Sequence, residues 1–161
     1  MLKINIICIG KIKEKYFAEA IAEYSKRLKA FCKLSVIELA EEKIRDNNPN
    51  RAQIDEVLRE EGRRILSKIQ NSDYVAAMCI EGKQLSSVQL SEKLDSIALS
   101  GKSTVDFVIG GSYGLSGEVK SRADFKLSMS KMTFTHTMAR MILCEQVYRA
   151  FEISSNGKYH K

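Results

Sequence analysis

Apolar periodicity switches back and forth along this chain, and that alternation restricts the fold more than any single motif. Lys3 to Gly10 (KINIICIG) is β-branched and nearly continuously apolar, the pattern of a strand buried on both faces, and Gly10 ends it. After a basic turn from Lys11 to Lys15, Tyr16 to Phe31 carries Phe17, Ile21, Tyr24, Leu28 and Phe31 at helical spacing. Leu34 to Leu39 is a second strand. Glu41 to Asn50, with the only proline (Pro49), reads as an exposed loop. Ile54, Val57, Leu58, Ile65 and Ile69 mark the next helix, with Glu60 and Arg64 spaced for an i,i+4 pair on its wet side. Asp73 to Ile80 predicts a third strand ending in Glu81-Gly82-Lys83, Ser87 to Leu99 a third helix, and Thr104 to Ile109 a fourth strand. A glycine-rich turn, a short polar segment, one more strand and a long helix from His136 complete the chain. Strands alternating with helices predict an α/β fold, a mostly parallel sheet with helices on both faces. No repeat or linker interrupts it, so residues 1–161 read as one domain.

Composition narrows the class. Hydrophobic residues at 44% and charged residues at 29% fit a soluble globular chain, and no apolar run reaches the roughly 20 residues of a membrane span. The N-terminal run lacks a small-residue cleavage site, so no secretory signal is expected. Cys8, Cys32, Cys79 and Cys144 are scattered, which predicts reduced thiols in a cytoplasmic protein rather than a disulfide frame or zinc site. The net charge is +6 and is unevenly spread, because residues 1–33 and 120–161 each carry eight Lys/Arg against three Asp/Glu. If the two ends meet, they form a basic patch suited to a polyanion; an ordinary solvated surface explains the same charges equally well.

The most informative stretch runs from Phe107 to the end. Ser100-Gly101-Lys102-Ser103-Thr104 imitates a phosphate loop but lacks the earlier glycine and precedes a strand instead of following one. Gly110-Gly111-Ser112-Tyr113-Gly114 does not fit the dinucleotide fingerprint either. Gly111, Gly114 and Gly117 recur at intervals of three directly after a buried strand, where glycine permits close backbone approach; a tight connection without a ligand is the plainer reading. In the last helix Met138, Met141, Ile142, Tyr148 and Phe151 form an apolar stripe, read as core or subunit interface, and Glu145 and Arg149 are spaced for an ion pair. With two histidines only, no metal site is expected. The terminal Lys-Tyr-His-Lys is either idle or a nucleic-acid contact.

Several segments in fixed order resemble the RlmH family of small SPOUT-class RNA methyltransferases. They are Met78-Cys79-Ile80-Glu81-Gly82-Lys83, Val108 to Leu115 (VIGGSYGL), Leu127 to Phe134 (LSMSKMTF), His136 to Arg140, Glu145 to Ala150 (EQVYRA), and Tyr159-His160. The resemblance covers the whole chain. It implies an α/β sheet whose C-terminal region forms a trefoil knot, a threading that chain-connection rules would not predict. It further implies S-adenosylmethionine as cofactor, contacted by Met78, by Gly111, and by the loop Ser130, Lys131, Met132, Thr133, Phe134 and Thr135. A homodimer is implied, acting in the cytoplasm on N3 of a pseudouridine in 23S ribosomal RNA within the assembled ribosome. Thr135 stands where relatives often carry proline.

On that basis Tyr159, His160 and Arg140 are the expected catalytic groups. The acceptor N3 must lose its proton, so a side chain either takes it or stabilises the charge that develops on the base. His136 is expected to shape the cofactor loop. Two other classes stay open: a methyltransferase of this fold acting on another RNA, and an RNA-binding protein without cofactor use.

Overall fold

A computed structural model describes all residues from Met1 to Lys161. Five strands form one all-parallel sheet: β1 (Lys3–Ile9), β2 (Lys33–Leu39), β3 (Tyr74–Gln84), β4 (Thr104–Ile109) and β5 (Phe125–Ser128), in the order β2-β1-β4-β3-β5. Four helices connect them, α1 (Lys15–Leu28), α2 (Arg51–Leu66), α3 (Ser87–Leu99) and α4 (Gly117–Arg122), and α5 (His136–Ser154) follows the last strand.

Alternation within the apolar strands explains why they read as continuous. Ile4, Ile6 and Cys8 of β1 join Val105, Phe107 and Ile109 of β4 in a core shared with α1, α3 and α5. Ile7, Ile9 and Val108 point the other way, into a second core closed by Ile65 of α2 and Val119 of α4. Both sheet faces are therefore dry, the arrangement that βαβ crossovers enforce. Helix starts are locally encoded: Asn50 with Gln53 and Ser86 with Gln89 form reciprocal capping boxes for α2 and α3. No helix is long and apolar enough to cross a membrane.

Four details depart from the sequence reading. The third strand continues through Glu81-Gly82-Lys83 to Gln84, because β5 pairs with it on both sides of an irregularity between Met78 and Lys83. Gly82 permits that approach; a Cβ there would stand 2.7 Å from the backbone of Leu127. The polar segment after the glycine turn contains α4, whose six residues are too few to show a helical period. Glu60 pairs with Arg63 (3.2 Å) rather than Arg64, which reaches out to Glu42 and to the Ala40 carbonyl (2.9 Å). In α5 the buried face is Thr137, Arg140, Leu143, Cys144, Val147 and Ala150, while the stripe from Met138 to Phe151 stays partly exposed. An arginine inside that buried face hid the true core period.

One buried acid gives the fold a pH dependence. Asp106 of β4 is fully buried and accepts a hydrogen bond from Asn5 Nδ2 (2.7 Å). Burial, reinforced by the Asp73 carboxylate, pushes its pKa from 3.8 up to about 6. A raised carboxyl pKa favours the folded state while the group is protonated, so this contribution is complete below pH 3.8 and lost as pH rises through about 6. The loss is on the order of 3 kcal/mol. Asp106→Asn, which keeps the acceptor for Asn5, is expected to raise the thermal midpoint at pH 8 and leave it nearly unchanged at pH 4. Equal midpoints for the two proteins at pH 8 would refute this.

Candidate functional site

The carboxyl ends of the strands open into a cleft of about 930 Å³, where ligands of open α/β sheets bind. Three segments form one side of it. At the end of β4, the turn from Gly111 to Gly114 closes through a Gly114 N–H bond to the Gly111 carbonyl (3.1 Å), with Gly114 at φ +85°. Gly110 lies so close beneath it that a Cβ would fall 2.3 Å from the Gly114 carbonyl oxygen. Gly111 rests on Ile9 and on the carboxylate of Glu61, each about 3.1 Å from where its Cβ would be. Glu61 is buried, and its pKa is raised by that burial despite the bond it accepts from the Glu42 N–H (3.1 Å).

At the end of β3, Met78 to Glu81 form a second wall, with Glu81 paired to Lys120 of α4. After β5 the chain is folded back by Ser128 Oγ donating to the Ser130 carbonyl (3.0 Å) and by the Met132 N–H donating to Ser130 Oγ (3.0 Å). Thr135 then caps α5, accepting from the Met138 N–H (3.4 Å), a bond that a proline side chain could not make.

Met78, Gly111, Ser130, Met132, Thr133, Phe134 and Thr135 all line this cleft; Lys131 belongs to the same loop but not to the lining. His136 lines it as well, with its Cε1 3.5 Å from where a Gly10 Cβ would be. No group of three or more His, Cys, Asp or Glu side chains converges as a metal site would require.

Arg140, Tyr159 and His160 lie elsewhere. The Arg140 side chain is 1% exposed, beneath the cleft and outside its lining. It donates to Glu38 Oε2 (2.9 Å) and to the Gly10 carbonyl (3.1 Å), tying the ends of β1 and β2 to α5. Tyr159 donates to Glu145 Oε1 (3.1 Å), lies 3.4 Å from the Tyr24 hydroxyl, and packs edge-on against Tyr148. The bond with Tyr24, partial burial and the Glu145 charge all raise its pKa. His160 Nδ1 stands 3.4 Å from Arg149, which forms its ion pair with Glu145 as the spacing foretold. These tail contacts fall on Glu145 to Arg149, some two to four turns along α5 from His136, or roughly 14–20 Å at 1.5 Å per residue. The tail of a chain does not enter its own cleft.

Sequence reasoning missed Lys11, Lys13, Glu14 and Glu41, which line the cleft beyond the ends of β1 and β2. Their one signal was position, directly after strands of a parallel sheet. Glu61 lay inside a helix and gave none.

A parallel sheet with a glycine turn after β4, a bulged β3 and a folded loop after β5 makes an open α/β ligand cleft, and the comparisons give its class as a methyltransferase. Residues 2–160 match the family described as "Predicted SPOUT methyltransferase". The ribosomal RNA large subunit methyltransferase H of Leuconostoc mesenteroides is 48% identical over 160 residues, covering 99% of this chain and 100% of that one. The protein of the same name from Exiguobacterium sibiricum is 49% identical with the same coverage. A probable methylase family protein from Haemophilus influenzae shares the fold at TM-score 0.53 and 14% identity, over 100% of this chain and 72% of that one. The chain belongs to the RlmH family of SPOUT methyltransferases.

Proposed function

We propose that this methyltransferase transfers the methyl group of S-adenosylmethionine to N3 of a pseudouridine in 23S ribosomal RNA, in the cytoplasm, on the assembled ribosome. The observation that carries this reading is the convergence of the β3, β4 and β5 ends on one cleft, in a chain whose full-length relatives bear the ribosomal RNA methyltransferase name. The cleft suits the cofactor. Its volume lies within the range of small-molecule sites, about 300–1,000 Å³. Met78, Leu115, Met132 and Phe134 offer apolar surface to an adenine ring, and the Gly110–Gly111 turn lets backbone N–H groups approach its polar end. Bound there, S-adenosylmethionine supplies a methyl group already activated by a positive sulfur, so the protein's work is chiefly positioning.

The tail supports a homodimer with composite sites, because Tyr159 and His160 meet Tyr24 of α1 and the Glu145–Arg149 stretch of α5, far from their own cleft. In this reading one protomer's tail reaches the cleft of its partner. There Tyr159 and His160 take up or stabilise charge as the imide proton leaves. The partly exposed stripe of α5, with Met138 at 36% exposure, suits a second copy. Knotting of the C-terminal segment is part of the same proposal. It accords with β5 lying beyond β3 while α5 returns to pack between α1 and α3.

Methyl transfer from radiolabelled S-adenosylmethionine to ribosomes lacking the modification tests the reading. N3-methylpseudouridine in 23S RNA is the expected product, and Gly111→Arg and Tyr159→Ala proteins are each expected to be inactive. Refolding the two variants together should restore partial activity, since some mixed dimers then carry one intact composite site. Label in another RNA would overturn the substrate, absence of cofactor binding would overturn the enzyme reading, and failure of the mixture would overturn the composite site.

A further inference from the structure

We propose that the half of the cleft beyond β1 and β2 is the acceptor-nucleotide subsite, with Glu14 receiving the N–H edge of the target base and Lys11 and Lys13 holding adjacent phosphates. The inference rests on the RNA methyltransferase reading and deepens it.

The sheet order places β1 next to β4, so the β1–α1 connection borders the glycine turn directly. The residues expected to hold the cofactor all come from the ends of β3, β4 and β5, which leaves the β1 side without a ligand. Its polar side chains are uncommitted. Lys11, Lys13, Glu14 and His136 line the cleft, and none of their side chains forms a hydrogen bond or ion pair within the chain. Glu14 Oε2 and His136 Nδ1 are both shielded from solvent without a partner. The four other residues with such an atom, Asn5, Glu61, Asp106 and Arg140, each bond through another side-chain atom, whereas Glu14 and His136 make no side-chain bond, which is costly unless a ligand completes them. Glu14 is the N-cap residue of α1 yet makes no side-chain cap bond, so helix capping does not explain it.

The mixture of charges narrows the ligand. The amino acid end of the cofactor carries an α-ammonium and an α-carboxylate and would also suit it, but the residues expected to hold the cofactor come from the ends of β3, β4 and β5. A nucleotide presents both signs: phosphate oxygens for the lysines, and ring N–H groups for a carboxylate, which only accepts hydrogen bonds. Pseudouridine offers two ring N–H donors where uridine offers one.

Three measurements on the full-length protein decide it: thermal midpoint, S-adenosylmethionine affinity by calorimetry, and kcat/KM for unmodified ribosomes. Glu14→Ala is expected to lower kcat/KM roughly tenfold or more, the worth of a hydrogen bond to a charged group, with midpoint and cofactor affinity unchanged. Glu14→Asp should recover much of the loss. Lys11→Gln with Lys13→Gln should raise KM for ribosomes and flatten its dependence on salt. A parallel loss of cofactor affinity in Glu14→Ala would place Glu14 in the cofactor site and overturn the proposal, as would wild-type kcat/KM in that variant. Wild-type protein that transfers no methyl group would instead sink the enzyme reading and the subsite with it.

Discussion

Gly110→Ala is expected to abolish measurable S-adenosylmethionine binding and to lower the thermal midpoint. The added methyl would lie 2.3 Å from the Gly114 carbonyl oxygen and 2.5 Å from its carbon. Both are backbone atoms of the tight turn, so no side chain can rotate away. The turn must open, and with it goes the close backbone approach that the cleft requires. Overpacking of this kind costs about 1–3 kcal/mol in stability, while binding suffers more because the displaced atoms are the cleft wall itself. Gly117→Ala is the matched control: nothing lies within 4 Å of its Cβ position, although it begins α4 only three residues beyond the turn. Calorimetric titration of both variants checks the contrast. Gly110→Ala binding the cofactor like wild type would show that the turn does not contact it.

The second large effect is expected at Arg140. Replacing it with alanine should destabilise the fold by about 3 kcal/mol, since it empties a large buried volume and removes the buried partner of an ion pair whose Glu38 side chain is 38% exposed. The surroundings are dry: burial pushes the neighbouring Cys8 and Cys144 thiols up to about 11 and about 12, even against the Arg140 charge. Arg140→Lys should rescue poorly, because a single ammonium lacks the planar fork that reaches Glu38 and Gly10 together. Urea unfolding measures this directly. A lysine variant as stable as wild type would mean that charge alone suffices. Because Gly10 leads into Lys11–Glu14, activity should fall with stability in both variants, through position rather than through contact with the reacting atoms.

Arg140 also shows where sequence reading stops. Its identity within a recurring motif marked it as a candidate for chemistry, yet its partner Glu38 is 102 residues away in the chain. Only the pairing of β1 with β2, and the packing of α5 across β1, bring the two together. Tyr159 and His160 repeat the lesson at longer range. Their place in the motif order was readable, but the 14–20 Å along α5 that separates them from their own cleft follows from the helix rise and from the Tyr24 and Glu145 contacts. The extension of β3 through Gly82 was hidden for a related reason: Glu81-Gly82-Lys83 has the composition of a turn, and a partner strand more than 40 residues later holds it extended.

What the residues determined by themselves was local. Apolar runs in β1 and β4 specified strands buried on both faces. Asn50 and Ser86 set helix starts, and the glycines after Ile109 set a turn too tight for a side chain. Backbone sterics, capping bonds and periodic burial act within a few residues, so one sequence suffices to read them. The cleft was decided elsewhere. Strand order brought the ends of β1, β3, β4 and β5 to one place, set Glu61 under Gly111, and left Glu14 and His136 without partners beside it. Those relations depend on hydrophobic faces closing over a sheet between segments a hundred residues apart, and nonlocal burial has no signature in any window of the chain.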